Sequence, residues 1–186
     1  MIYIPISTLN DFVFCPYSIY LHGIYNQVDD SLYYAAPQVR GSISHEATDN
    51  KKSSTRKDAI LSLPVYSDEL GIIGKIDLFR ISECHLIERK YLLKKIYRGQ
   101  LYQIWSQYFC LKEMGYDVKR ISFYEISTKK SIPVNIPGEN EFNELKAIVL
   151  RYHQYRPDMG IVINENKCTH CIYCPMCDKT NLENVY

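Results

Sequence analysis

The sequence has little net charge, no long apolar run and no cluster of basic residues among its first positions. Its 186 residues carry 22 Lys and Arg against 21 Asp and Glu. This near balance excludes a uniformly polyanion-binding surface, so any nucleic-acid surface must be local. No apolar run approaches the ~20 residues that span a bilayer, and the N-terminal segment carries Asp11 but no basic cluster. We therefore expect a cytoplasmic protein without a membrane partner.

The composition predicts a folded chain of about one domain. Hydrophobic residues make up 46%, charged residues 23% and aromatic residues 13% of the sequence. Such a chain can bury enough apolar surface to offset its folding entropy, which excludes a wholly disordered protein. Its length leaves little room for a second catalytic domain.

Apolar periodicity and turn residues predict alternating helices and strands. Two short helices flank Cys15, with Thr8 to Asp11 as a capping box and Pro16 in the first turn of the second helix. A polar loop occupies residues 49–58. Helices are predicted over residues 39–48, 100–114 and 139–153, a three-strand meander over 60–66, 72–81 and 84–90, and further strands over 120–127 and 132–136. This order indicates a mixed α/β or α+β domain with helices against one sheet.

Two carboxylates and a lysine fall on neighbouring predicted strands. Asp77 lies on the second strand of the meander, and Glu88 and Lys90 share one face of the third. Hard oxygen ligands suit Mg or Mn, which can activate water and polarise a phosphate. The alternative is a pair of solvated strand-end charges with an ion pair, because such short patterns are common.

Further polar residues could extend this group. His45 lies on the helix before the meander and could add an imidazole ligand, which would favour Mn. Gln103 and Gln107 are four residues apart and project from one face of an otherwise apolar helix. Taken alone, Gln107 is better interpreted as part of a polar helix edge.

Seven cysteines distinguish the sequence further. Four are spaced three apart, at Cys168, Cys171, Cys174 and Cys177. Without a signal peptide, this density favours zinc or an iron–sulfur cluster over disulfides. Cys84 and Cys110 are better interpreted as buried free thiols.

The succession G-x3-H, GxxD, ExK and Q-x3-Q resembles the RecB-like branch of the PD-(D/E)xK nucleases. Together with the Cys15-Pro16 pair and the C-terminal cysteines, it resembles the iron–sulfur form of that superfamily, and most closely the CRISPR-associated exonucleases of the Cas family numbered four. The resemblance implies a RecB-like, restriction-endonuclease-like core with a mixed central sheet flanked by helices. It also implies a C-terminal iron–sulfur segment closed onto the N-terminal helix.

The resemblance assigns a role to individual residues and ranges. One nuclease domain would span residues 1–186, with residues 1–25 and 160–186 binding the cluster and residues 37–136 forming the nuclease core. Lys90 would be the catalytic lysine and Gln103 a supporting residue. The expected ligands of Mn or Mg are His45, Asp77 and Glu88, and those of a 4Fe-4S cluster are Cys15, Cys168, Cys171 and Cys177.

Three positions depart from the family pattern. Tyr17 replaces an arginine that often follows Cys-Pro, the interval from Asp77 to Glu88 is short, and Cys174 is additional. Cys15 as a ligand would close a loop of roughly 150 residues and tie the first helix to the last segment, which favours it over Cys174. Zinc, or a site of the four local cysteines, remains the alternative.

Basic residues follow the ExK motif directly. Arg89, Lys94, Lys95 and Arg98 are interleaved with tyrosines, a composition suited to phosphate contacts and base stacking. We therefore expect a DNA-binding surface beside the site.

The expected function is a metal-dependent DNA exonuclease or endonuclease that acts on single-stranded ends. The resemblance implies that it processes prespacers with a CRISPR integrase complex. Two alternatives stay open: a stand-alone RecB-like exonuclease of a mobile element in repair or replication, and a non-catalytic DNA-binding or assembly module held together by its cluster.

Overall fold

A computed structural model describes residues 2–25 and 58–180 of the chain. The predicted helix at residues 39–48, the polar tract before Asp58 and the proposed ligand His45 lie outside the described residues. The helices, strands and side-chain contacts of the structure belong to the two described ranges.

The N-terminal part contains one short strand and two helices. Strand β1 (Ile4–Pro5) leads directly into α1 (Ile6–Phe14), and α2 (Pro16–Tyr25) follows after Cys15. Pro16 begins α2 as predicted, because a missing N–H costs nothing in a first helical turn. The predicted capping box is wrong: α1 already begins at Ile6, and the Thr8 hydroxyl donates to the carbonyl of Pro5 at 2.8 Å.

The predicted meander is divided into five strands. These are β2 (Ala59–Leu61), β3 (Pro64–Ser67), β4 (Ile72–Lys75), β5 (Leu78–Arg80) and β6 (His85–Lys90). Strand β2 ends before Ser62, which has a left-handed φ of 53°. A second interruption of regular strand structure lies between β4 and β5. The backbone N–H of Ser62 donates to the carbonyl of Asp77, and the backbone N–H of Ile76 donates to the carbonyl of Leu63. The two interruptions therefore lie side by side.

The rest of the described chain alternates helices and strands. It comprises α3 (Arg98–Glu113), β7 (Arg120–Glu125), β8 (Lys130–Val134), α4 (Glu139–Gln154), α5 (Glu165–Cys168) and a 3-10 turn (Cys174–Met176). Gly115 ends the α3 region with a φ of 87°, in agreement with the sequence prediction. None of the helices within the described ranges is long and apolar enough to cross a bilayer.

Within residues 2–25 and 58–180, the strands form two mixed sheets rather than the single sheet that was expected. One has the order β1-β4-β3, and the other has the order β2-β5-β6-β7-β8. In the larger sheet only β6 and β7 are parallel, with Glu88 opposite Phe123. Pair β3–β4 belongs to the small sheet, and pair β2–β5 belongs to the large sheet. The two chain segments therefore pass together from one sheet into the other.

A continuous apolar core joins these sheets to the helices. Leu9 of α1, Ile104 and Leu111 of α3, and Leu145 of α4 are fully buried in it together with Phe123 of β7. Helix α3 contacts α1, α4 and strands β3 and β4, which fixes its polar side chains relative to β6. The mixed α+β class, with helices flanking mixed sheets, is confirmed at this level.

The close approach of α1 and α3 at Gly99 gives a stability prediction. A Cβ at Gly99 would lie 2.5 Å from Oδ1 and 2.9 Å from Cα of Asn10, so part of the contact is rigid backbone. We expect Gly99→Ala to lower the free energy of unfolding by about 1–3 kcal/mol, as overpacking does. The matched control is Gly23→Ala in α2, where a Cβ meets no described atom within 4 Å and should stabilise by up to about 1 kcal/mol. Urea unfolding of both variants measures the difference, and equal stabilities would contradict it.

Candidate functional site

Asp77 and Glu88 are brought together by the pairing of β5 with β6. Leu78 lies opposite Ile87 in this antiparallel pair, so Asp77 and Glu88 occupy the next opposed positions. Asp77 Oδ2 accepts a 2.8 Å hydrogen bond from the backbone N–H of Arg89, which fixes its carboxylate beside β6. Both acids are buried, with 8% of Asp77 and 0% of Glu88 exposed. The alternative of solvated strand-end charges is therefore wrong for both acids, although the ion pair that it included is present between Lys90 and Glu88.

Three side chains hold the Glu88 carboxylate. Lys90 Nζ lies 2.8 Å from Oε1, and Gln103 Nε2 donates to the same oxygen at 2.7 Å. Gln107 Nε2 donates to Oε2 at 2.7 Å and also lies 3.3 Å from the carbonyl of Lys75. Lys90 Nζ in turn donates to Gln103 Oε1 at 2.8 Å. Glu88, Lys90 and Gln103 thus form a closed triangle of hydrogen bonds, with Gln107 on the opposite carboxylate oxygen.

Burial is the main influence on the pKa of Glu88. It raises this pKa, and the nearby negative charge of Asp77 raises it further. The ammonium of Lys90 and the hydrogen bonds from Lys90 and Gln107 oppose that rise in pKa. A cation bound between Asp77 and Glu88, in addition to the Lys90 ammonium, would reduce the repulsion between the two carboxylates. An adjacent positive charge favours the ionised form of a carboxyl group.

The donor set fits a hard divalent cation in part. Asp77 and Glu88 supply carboxylate oxygens, the ligands that Mg and Mn prefer. Across residues 2–25 and 58–180, no three His, Cys, Asp or Glu side chains are arranged to hold one metal ion. The third expected ligand, His45, lies outside the described residues, so the two acids are the part of the expected ligand set that the structure brings together.

Gln107 belongs to this group, although its sequence pattern alone indicated a polar helix edge. It is 1% exposed, and its Oε1 is buried without a hydrogen-bond partner among the described residues. The available signal was its spacing from Gln103 on a helix that is otherwise apolar, since a buried amide is costly unless it has a polar partner. The partner, Glu88, was not identified from spacing alone.

The basic residues after Lys90 do not form one uniform surface. Lys94 and Lys95 are exposed, and Lys95 Nζ lies 5.8 Å from the ring centroid of exposed Tyr97. Arg98 instead forms a two-pronged ion pair with Glu144 and lies 4.9 Å from a ring centroid of Trp105. The structure therefore leaves Lys94 and Lys95 better placed than Arg98 to contact a phosphate.

A second group of residues surrounds a cavity between the N-terminal helices and the C-terminal segment. Its volume is about 550 Å³. We call it the cysteine cavity, because its lining includes all five candidate ligands: Cys15, Cys168, Cys171, Cys174 and Cys177. None of these five cysteines is in a disulfide. Of the remaining two cysteines, Cys110 is buried as expected, whereas Cys84 is only half-buried.

The neighbours that raise the pKa of Cys174 differ from those that raise the pKa of Cys171 and Cys177. Burial raises the pKa of Cys171 to about 11, and negative charge on Cys15, Cys177 and Cys168 raises it as well. The pKa of Cys177, raised first by burial, also responds to Cys15 and Cys168. After burial, the pKa of Cys174 responds to Cys168 alone.

The thiols of this cavity suit zinc or an iron–sulfur cluster, because both bind thiolate ligands. All five candidate ligands line it, so the structure brings together both ligand sets that the sequence left open, the one with Cys15 and the one with Cys174.

Three polar contacts hold the cavity walls together. Tyr17 donates to Asp178 Oδ1 at 2.5 Å, and His22 Nδ1 lies 2.9 Å from the hydroxyl of Tyr173. Lys167 Nζ donates to the carbonyl of Phe14 at 2.9 Å, where α1 ends. Tyr17 therefore supplies one of the links between the first helices and the C-terminal segment.

The amide clamp on Glu88 can be tested through stability. Gln107→Met keeps the side-chain length but leaves Glu88 Oε2 and the Lys75 carbonyl without this donor. We expect the free energy of unfolding to fall by about 1–3 kcal/mol, the cost of unpaired buried polar groups. Gln103→Met should cost less, because Lys90 still pairs with Glu88 Oε1. Denaturant titrations compare the two, and an unchanged Gln107→Met midpoint would argue against the clamp.

Comparisons with known proteins support the fold only. No family model matches the chain, and no curated protein matches it. Among solved structures, the crystal structure of SSO0001 is similar, with a TM-score of 0.62 and 14% sequence identity. The match covers 97% of this chain and 88% of that one. The chain therefore shares its overall mixed α+β fold with SSO0001 across almost its whole length.

Proposed function

We propose that this protein is a divalent-metal-dependent DNA nuclease of the RecB-like PD-(D/E)xK type. The observation that carries the proposal is the buried arrangement of Asp77 and Glu88 with Lys90 and Gln103. A purely structural ion pair would need neither the second buried acid nor two amides on one carboxylate. The alternative of a non-catalytic module leaves this costly polar group without a purpose.

The acids and the lysine have distinct roles in phosphodiester hydrolysis. Asp77 and Glu88 would hold Mg or Mn together with His45. Such an ion supplies Lewis acidity toward a phosphate and lowers the pKa of water. Lys90 presents an ammonium whose positive charge can stabilise charge that develops on the phosphate. Gln103 contacts both Lys90 and Glu88, so it orients the ammonium relative to the acids.

A nucleic-acid substrate is supported by the surface next to this group. Lys94 and Lys95 are exposed a few residues beyond Lys90, and exposed tyrosines at Tyr91 and Tyr97 accompany them. Lysines of this kind bind phosphates without reading sequence, and tyrosine rings stack on unpaired bases. We therefore propose single-stranded DNA ends as the substrate. Prespacer processing with a CRISPR integrase follows from the sequence resemblance.

The cysteine cavity supports a 4Fe-4S cluster as the second cofactor. Cys15, Cys168, Cys171 and Cys177 would hold it, and Cys174 would stay a free thiol. The cluster would join α1 and α2 to the C-terminal segment and close a loop of roughly 150 residues, which constrains the unfolded chain. Its role in this proposal is structural.

The proposed mechanism predicts that a substitution of Lys90 lowers the rate of DNA cleavage without weakening metal binding. Lys90→Met should keep Mn binding within a few-fold of the unsubstituted protein but reduce the rate of single-stranded DNA cleavage by about 100-fold or more. Asp77→Asn should weaken both Mn binding and cleavage, because it removes a ligand charge. Calorimetric Mn titration and cleavage of an end-labelled oligonucleotide measure the two properties.

The matched control is Lys119→Met, which removes an exposed lysine paired with Asp117. It should leave both properties unchanged. A folded, cluster-loaded Lys90→Met protein that cleaves DNA at the original rate would refute the mechanism. Binding of DNA with no Mn- or Mg-dependent cleavage by the unsubstituted protein would favour the non-catalytic module.

The proposed ligand set predicts different effects for two cysteines. Cys15→Ser should abolish the visible thiolate-to-iron absorption and lower iron and sulfide content, since it removes a ligand. Cys174→Ser should keep both. Iron, acid-labile sulfide and zinc are measured per chain after anaerobic purification. The reverse pattern would assign the site to the four C-terminal cysteines, and stoichiometric zinc without iron would reject the cluster.

A further inference from the structure

A second cavity lies between the beginning of α3, the end of β8 and the loop that leads to α4. Its volume is about 370 Å³. We call it the Arg98 cleft, because Arg98 lines it where α3 begins. Apolar residues such as Leu101, Pro133 and Ile136 line it together with the polar residue Asn135. A site of this size and mixed character suits a small planar group with apolar faces and polar edges.

The Arg98 side chain is held in one orientation by its neighbours. Its Nε donates to Glu144 Oε1 at 2.8 Å, and a terminal nitrogen donates to Glu144 Oε2. The guanidinium also lies 4.9 Å from a ring centroid of Trp105 and 5.6 Å from that of Tyr102. Yet 49% of the side chain is exposed. Arg98 therefore presents a fixed, half-exposed plane rather than a mobile charge.

The Arg98 cleft is poorly suited to a phosphate. Glu144 already compensates the charge of Arg98. A second acid, Glu141, lines the cleft, where its carboxylate accepts the backbone N–H of Gly138 at 2.8 Å. An anion in the cleft would therefore lie near two carboxylates and one guanidinium, so it would be repelled. A neutral ring avoids this repulsion and can stack on the guanidinium plane.

The cleft continues the surface that we propose to contact DNA. Lys94 and Lys95 are exposed, and the next residue, Ile96, lines the cleft. Exposed Tyr97 follows, directly before Arg98. A strand whose phosphates lie on the two lysines would therefore have a base within reach of the cleft. Phosphates on the lysines and a base in the cleft match the charges of both surfaces.

We propose that the Arg98 cleft binds one unpaired base of single-stranded DNA, with the base stacked on the Arg98 guanidinium and Asn135 available to its polar edge. The proposal rests on the proposed function for its DNA substrate, but it adds a base-binding site on a different part of α3 from the glutamines that hold Glu88. Every base has a face that can stack, so the site accepts any sequence. The bases of a duplex are already paired and stacked, so the cleft selects single strands.

Trp105 reports on the cleft, because it lines the cleft and is the only tryptophan in the sequence. Its fluorescence is followed while the unsubstituted protein, without added divalent metal, is titrated with a thymidine oligonucleotide. An abasic strand of equal length supplies the same phosphates without bases. We expect the thymidine strand to quench Trp105 and to bind about tenfold more tightly than the abasic strand. Equal quenching by both strands, or no quenching when the thymidine strand is bound, overturns the proposal.

The substitution Arg98→Met keeps an unbranched stem but removes the guanidinium plane. We expect it to lower the ratio of the two affinities, thymidine strand over abasic strand, by about fivefold or more. The matched control is Arg156→Met, which removes an equal charge from a two-pronged pair with Asp158 outside the cleft. It should leave the ratio unchanged. An unchanged ratio in folded Arg98→Met, or an equal fall in both variants, overturns the proposal. If Arg98→Met does not fold, the Trp105 measurement decides, since it needs no substitution.

Free thymidine monophosphate distinguishes a site for a strand from a site for nucleotides. If it quenches Trp105 at the same concentrations as the oligonucleotide, the cleft takes free nucleotides and the proposal is overturned. We expect quenching only at far higher concentrations, because the free nucleotide lacks the phosphates that contact Lys94 and Lys95.

Failure of this inference is distinguishable from failure of the proposed function. Metal-dependent cleavage by a protein whose Trp105 fluorescence does not respond to bound DNA overturns only the base-binding cleft. Quenching by the thymidine strand without Mn- or Mg-dependent cleavage overturns the nuclease and supports the cleft. A protein that binds no DNA overturns both.

Discussion

A single buried carboxylate, that of Glu88, determines how the centre of this molecule is arranged. An acid without exposure needs polar partners for both of its oxygens, and here Lys90, Gln103 and Gln107 provide them. Two of these donors come from α3, so the helix must lie across β6 with its amides facing the strand. The tight contact of Gly99 with Asn10 holds the beginning of α3 against α1 and supports the same position.

Glu88 and Lys90 on β6 show what the fold adds to a short and common sequence pattern. The separation of Glu88 and Lys90 by two residues places them on one face of a strand, but that alone does not bury them. Burial comes from the neighbouring Asp77, whose carboxylate accepts the Arg89 amide, and from the covering helix. Asp77 lies where the chain passes between the two sheets, just outside the regular strands β4 and β5.

The sequence predicted the elements better than their connections. Helix lengths around α3 and α4, the stop at Gly115 and the shared face of Glu88 and Lys90 all follow from local periodicity and turn residues. The division of the predicted meander into two sheets does not, because it depends on a left-handed Ser62 and on backbone pairing with Asp77. No local signal specifies that pairing.

The same limit applies to the two sites. The cysteines were recognisable because their spacing is unusual, and the acids because a known arrangement of motifs contains them. Gln107 was not identified as a partner of the acids, since it acts through Glu88, which lies 19 positions away in the sequence. Contacts of this kind become visible only when the fold places them together.

The link between Tyr17 and Asp178 has a consequence for how the chain acquires its structure. Its partners are 161 positions apart, and the hydrogen bond of His22 with Tyr173 spans 151. Contacts this distant form late, because the entropy of closing the loop is lost before they contribute. During synthesis, Cys15 therefore emerges long before the other cysteines of its cavity. The cysteine cavity is therefore complete only after the C-terminal segment has docked, so its formation reports that almost all of the described chain has folded.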